Sequence, residues 1–196
     1  MLGRIKDRLR RLIAYEAGIA HSIGLSANAV SVIGVILAFA ASLFYLLCRG
    51  NPLLILVATA LLLSSGFCDA LDGVLARMHG GPTPLGGFID SLLDRYADAS
   101  VIAAITVSGL CDLYVGTLAL IGSLLVSYTR AKAEGLGVTL SGIGLVERSE
   151  RILIVAASSI ASLLYRGALW YGMLALAVLT HITVLQRALH TYRETT

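Results

Sequence analysis

The sequence predicts an all-α, polytopic membrane protein: six transmembrane helices preceded by an N-terminal amphipathic helix lying in the interface. Three observations carry this expectation. Of the 196 residues, 57% are hydrophobic and only 14% charged, with a mean hydropathy of +0.85, whereas soluble domains hold about 45–50% apolar residues. Apolar runs recur at lengths near the roughly 20 residues that a helix needs to cross a bilayer. Finally, carboxylates stand inside two of those runs at helical spacing, and acids inside membrane-spanning segments mark functional positions.

Residues 2–20 place Leu2, Ile5, Leu9, Leu12 and Ile13 on one stripe, with Arg4, Arg8, Arg10 and Arg11 around the other face. A short basic amphipathic helix of this kind lies along a membrane surface. Nucleic-acid binding is the competing reading, and the membrane character of the rest of the chain argues against it. No apolar run follows at signal-peptide distance, so no cleaved signal is expected. The spans are expected at about 28–48, 52–77, 85–110, 113–133, 145–165 and 168–189, with a polar tail over His190–Thr196. Ser26 or Asn28 can cap the first span. Arg49-Gly50-Asn51-Pro52 turns the chain into the second. The loop from Met78 to Pro84 holds Gly80, Gly81 and Pro82, a connector of ordinary length for a helix pair. A polar loop with Gly135, Gly137, Gly142 and Gly144 separates the fourth and fifth spans, and Arg166-Gly167 turns into the sixth. No internal repeat or low-complexity linker breaks the chain. A single domain over 1–196 is expected, with the interfacial helix at 1–20 and a six-helix core over 28–192. Cys48, Cys68 and Cys111 show no C-x-x-C spacing; they read as three buried apolar thiols, with neither a disulfide framework nor a zinc site.

The 15 Lys and Arg residues sort by side. Arg4, Lys6, Arg8, Arg10, Arg11, Arg77, Arg130, Lys132, Arg148, Arg151, Arg187 and Arg193 share one side by span parity. Only Arg49 and Arg166 fall on the other, and Arg95 lies within a span. The positive-inside rule then expects both termini in the cytoplasm, in a multi-pass plasma-membrane protein.

The chemistry concentrates in residues 67–94, FCDALDGVLARMHGGPTPLGGFIDSLLD. Asp69, Asp72, Gly73 and Ala76 recur at i, i+3, i+4 and i+7 and share one helix face. Gly86, Asp90 and Asp94 repeat every four residues on the next helix. The acids end one span and begin the next, so a hairpin brings all four to the same membrane side. Four converging carboxylates away from bulk water would cost several kcal/mol per ion if uncompensated. Two divalent cations would neutralise them, and all-oxygen ligation suits Mg²⁺ or Mn²⁺ rather than zinc. A two-metal site of this kind suits phosphoryl-type transfer. Small residues at 73 and 76 leave room for a substrate against the helix backbone, and Arg77 can grip a diphosphate bidentately. Asp98 continues the row one turn deeper, and is expected to pair with Arg95 or another buried donor rather than to join the metal shell.

The pattern Asp69-x2-Asp72-Gly73-x2-Ala76-Arg77-x8-Gly86-x3-Asp90-x3-Asp94 fixes eight residues over 26 positions. It resembles the signature of the CDP-alcohol phosphotransferases, whose members displace CMP from a CDP-linked substrate with a second alcohol. The resemblance implies that Asp69, Asp72 and Asp90 hold two divalent cations, and that Asp94 completes the shell and acts as general base. It implies that Asn28, Asp69, Gly73, Ala76, Arg77, Thr83 and Gly86 meet the CDP-lipid. The family often carries Leu-Thr-Pro-Asn before its first span; here Leu25-Ser26-Ala27-Asn28 keeps the Asn but has Ala27 in place of Pro. The active site is expected to open to the cytoplasm, and a homodimer is implied. Gly116, Gly122, Ser123 and Ser127 in the fourth span would permit close helix packing.

Within the family, SYTRAKAEGLG followed by GLVERSERI is similar to the phosphatidylinositol phosphate synthase branch and its archaetidyl counterpart. That implies a CDP-diradylglycerol donor and inositol phosphate as acceptor, with Arg130, Lys132, Arg148 and Arg151 as an anion site. The competing reading of these four is the positive-inside effect with pairing to Glu134, Glu147 and Glu150. The alternative acceptor is glycerol phosphate. An ion-coupled transporter would explain isolated acids, but not Gly73, Ala76, Arg77 and Gly86 at fixed spacing. A non-catalytic membrane scaffold is the third reading.

Overall fold

The computed structural model describes residues 15–19, 22, 24–78, 81 and 83–196. They form six helices: α1 Ala27–Leu47, α2 Pro52–Met78, α3 Pro84–Val107, α4 Leu113–Glu134, α5 Arg148–Ala161 and α6 Ala168–Thr195. A further helical turn covers 15–19; its Ala17 packs with Val30 of α1 and Leu75 of α2. The remainder of the expected interfacial helix lies outside the described residues.

Side-chain caps fix three of the helix starts. Ser26 Oγ accepts from the Ala29 N–H at 3.2 Å, which leaves Asn28 free of the capping role. Thr83 Oγ1 accepts from the Gly86 N–H at 3.0 Å, with Pro84 in the first helical position. Asp112 Oδ1 accepts from the Val115 N–H at 3.0 Å and opens α4. Asp112 also accepts from the Trp170 indole N–H, stapling the α3–α4 turn to the start of α6. The Val115 amide, and then the Trp170 indole, hold the Asp112 carboxyl below its usual range. Its contribution is therefore complete above the ordinary carboxyl pKa and fades only as pH falls through the lowered one.

Helix α1 packs against both α2 and α3; α4 joins α3 to α6, and α5 lies between α2 and α6. The apolar core runs through all six, from Ala38 and Ala41 of α1 to Met173 and Leu176 of α6. Buried hydroxyls tie it together. Tyr45 Oη lies 2.8 Å from Ser159 Oγ and 3.3 Å from Thr59 Oγ1, linking α1, α5 and α2. Ser42 donates to Ser100 Oγ at 3.0 Å, linking α1 and α3.

Among the described residues, α1, α2, α4 and α6 are long and apolar enough to cross a membrane. Helix α3 has the length, about 36 Å at about 1.5 Å per residue, but it carries Asp90, Asp94, Arg95 and Asp98. Helix α5 is shorter than the expected 145–165. Residues 145–147 stay in the loop and the helix stops at Ala161, so its 14 residues span about 21 Å. The expected polar tail is instead helical to Thr195. Of the three cysteines, all free, Cys48 and Cys111 are buried as expected, while Cys68 is half-buried beside the acidic residues of α2.

The small residues of α4 are consumed inside the protomer. A Cβ on Gly116 would overlap Thr106 of α3, and one on Gly122 would overlap Thr180 of α6. Gly122→Ala should therefore push α4 and α6 apart and lower stability by about 1–3 kcal/mol. Gly87→Ala, where a Cβ meets nothing within 4 Å, should be neutral. Thermal unfolding of both variants in detergent checks the contrast.

Candidate active site

Helices α2 and α3 form the hairpin that the acidic spacing requires. Asp69 and Asp72 lie in the last three turns of α2; Asp90 and Asp94 lie in the first half of α3, and Asp98 one turn further on. One carboxylate oxygen from each of Asp69, Asp72 and Asp90 falls within 4.8 Å of the other two. Ser31 of α1 donates to Asp72 Oδ2 at 2.7 Å and fixes that carboxylate from a third helix. The donor set is oxygen only. Three half-buried to buried acids at this separation fit a hard divalent cation, which would relieve their mutual repulsion.

Asp94 joins the group through Arg148. The Arg148 guanidinium is ion-paired with Asp69 and lies 2.7 Å from Asp94 Oδ1, while its Nε lies 3.4 Å from Asp98 Oδ1. Asp98 in turn holds Arg151 at 2.6 Å through its other oxygen. Asp98 thus pairs with buried donors, as its register suggested, and they come from α5. Arg95 contacts Asp94 at 3.4 Å instead. Arg151 is 5% exposed, and its Nε has no hydrogen-bond partner among the described residues.

The loop between α4 and α5 delivers these arginines. Thr183 Oγ1 accepts from the N–H groups of Leu145 and Val146 at 3.1 and 3.2 Å. Arg187 donates to Ile143 O at 2.9 Å and Val126 O at 2.6 Å. Gly144 passes close to α6 with φ +120, and a Cβ there would sit 2.5 Å from Thr183 Cγ2. Glu150 accepts from the Glu147 N–H at 3.0 Å and opens α5 with Arg148 turned toward the acids.

The remaining expected residues divide. Gly86 sits tightly, since a Cβ there would lie 2.8 Å from Thr83 Oγ1 and 3.3 Å from Asn28 Oδ1. The start of α1 and the start of α3 therefore meet at Asn28. Gly73 faces open space, and a Cβ there would find only Arg77 Nη1, at 3.8 Å. Arg77 is exposed at the end of α2, and Ala76 is half-buried beside it. Arg130 and Lys132 are exposed near the end of α4, with Arg130 paired to Glu134 at 3.0 Å. Arg148 and Arg151 come together on Asp98. Ser31 and Arg187 were not singled out from sequence. Ser31 lies three residues beyond Asn28, which was the available signal. Arg187 stood out only as an arginine among apolar residues of α6.

The sequence and the fold match known proteins. The profile of the CDP-alcohol phosphatidyltransferase family covers residues 25–185. Archaetidylinositol phosphate synthase of Methanothermobacter thermautotrophicus is 39% identical over 99% of this chain and 95% of its own. The crystal structure of Mycobacterium tuberculosis phosphatidylinositol phosphate synthase with CDP-DAG bound superposes with a TM-score of 0.77 at 27% identity, covering 93% of this chain and 94% of that one. A structure of the same mycobacterial protein in complex with manganese and citrate gives 0.76 at 26% identity, covering 92% and 88%. With the eight-residue acidic signature intact on the α2–α3 hairpin, the chain belongs to the CDP-alcohol phosphatidyltransferase family.

Proposed function

We propose that this protein transfers a diradylglycerol phosphate group from its CDP ester to inositol phosphate and releases CMP. The convergence of Asp69, Asp72 and Asp90 within 4.8 Å carries the reading. The relative from Methanothermobacter, similar over nearly the whole chain, favours the archaetidyl, ether-linked form of the donor.

Asp69, Asp72, Asp90 and Asp94 would hold two Mg²⁺ or Mn²⁺ ions. Bound there, the ions neutralise the diphosphate and polarise its phosphorus. Ser31 keeps the Asp72 carboxylate oriented. Arg77, lying over Gly73, binds the diphosphate, and the small face made by Gly73 and Ala76 admits it against α2. Asn28, Thr83 and Gly86 close the nucleotide side, with the Thr83 hydroxyl also capping α3. Asp94 takes the proton from the acceptor hydroxyl. The hydroxyl oxygen bonds to the β-phosphorus as the bond to CMP breaks. Arg151, with a buried unpartnered Nε, heads the acceptor anion site. Arg148 stands beside it, and Arg130 and Lys132 lie at the rim.

We also infer that all six helices cross the membrane, α3 and α5 shielded by their neighbours, with the N-terminal helix in the interface. The loop cations and both termini then face the cytoplasm. Exposed Tyr114, Tyr165 and Tyr171 lie at the opposite end, where an aromatic belt belongs. A homodimer is expected, with Gly116 and Gly122 outside its contact because they face α3 and α6.

The purified protein, given an ether-linked or ester-linked CDP-lipid and Mg²⁺, should release CMP with inositol phosphate and not with serine or free inositol. Release with glycerol phosphate alone would move the reading to a glycerophosphate synthase. Uptake into proteoliposomes without CMP release would favour a transporter. Asp94→Asn should lower the rate by about a hundred-fold or more. EDTA should abolish turnover, and Mg²⁺ or Mn²⁺ should restore it. Arg151→Lys should raise KM for inositol phosphate more than KM for the CDP-lipid.

A further inference from the structure

Arg148 occupies an unusual position for a side chain expected to bind an anion. It is the first residue of α5, and its guanidinium is turned into the acidic cluster. Nη1 is paired with Asp69 and lies 2.7 Å from Asp94 Oδ1. These are two of the four carboxylates assigned above to divalent cations, and this inference rests on that assignment. Nη1 makes no hydrogen bond of ordinary geometry, although it touches both acids.

A guanidinium and a divalent cation cannot share the same carboxylates at contact distance without strong repulsion in a site so little exposed to water. The structure also shows where Arg148 can go. Its Nε is already 3.4 Å from Asp98 Oδ1. Asp98 is anchored in turn by Arg151 at 2.6 Å, so it stays in place when Arg148 swings. The eight-residue signature ends at Asp94 and assigns nothing to Asp98.

We propose that Arg148 is an exchangeable internal counter-ion. Its guanidinium neutralises Asp69 and Asp94 until divalent cations take those carboxylates, and then withdraws to Asp98. Arg148 and Asp98 are on this account positioning residues that set the affinity of the metal site. Cation loading also turns the Arg148 guanidinium out of the cluster, where its donors become available to an anionic acceptor.

Mn²⁺ binding to the purified protein, followed by the EPR signal of free Mn²⁺ with no substrate present, tests this. Arg148→Gln should tighten Mn²⁺ binding by about ten-fold, within the usual range of coupling between interacting sites. Asp98→Asn, which removes the second berth, should weaken it. Equal or weaker Mn²⁺ binding by Arg148→Gln would overturn the proposal while leaving the two-metal reading intact. A wild-type protein that binds no Mn²⁺ would overturn both. A second measurement needs no variant: phenylglyoxal labelling of the wild type, read by peptide mass spectrometry. Mn²⁺ should increase modification of Arg148, and unchanged or reduced labelling contradicts the exchange.

Discussion

Charge compensation inside a bilayer-sized helical bundle governs this structure. Five aspartates on two adjacent helices face one another, and each would be costly there alone. Two arginines from α5 answer part of that charge: Arg148 reaches Asp69, Asp94 and Asp98, and Arg151 reaches Asp98. Much of the architecture serves to bring these groups together. The α2–α3 hairpin sets the acids side by side. The loop pinned to α6 by Thr183 and Arg187 sets the start of α5 against them.

This constraint also separates what must be rigid from what can move. The bundle below the site is locked by apolar packing and by hydroxyl bridges such as Tyr45 with Ser159. Close approaches at Gly116 and Gly122 leave α4 no slack against α3 and α6. Above that floor, Arg77 and Arg130 are exposed and project from helix ends. Carboxylates set between helices, with long, exposed cations around them, suit a site that admits a lipid diphosphate and an anionic alcohol.

The acidic core of the site was legible in the sequence because it is local. Asp69 and Asp72 share a helix face by spacing, Asp90 and Asp94 do the same, and one short connector must bring the two faces together. Asp98 followed from the same row. The partners of these acids were less legible because they are not local. Arg148 lies 50 residues beyond Asp98 in the chain, and Ser31 lies 41 residues before Asp72. The pairing of Arg148 with the acids depends on a Gly-rich loop whose path periodicity does not describe. The helix ends erred for related reasons. Leu145 and Val146 are apolar enough to read as span but are held in the loop by Thr183, and 190–195 are polar enough to read as tail but continue α6.

Anomalous diffraction from crystals grown with Mn²⁺ tests the central claim most directly. The account predicts two manganese peaks among the carboxylates of Asp69, Asp72, Asp90 and Asp94, with the Arg148 guanidinium moved toward Asp98. An acidic cluster without manganese, in crystals containing Mn²⁺ at millimolar concentration, would contradict it.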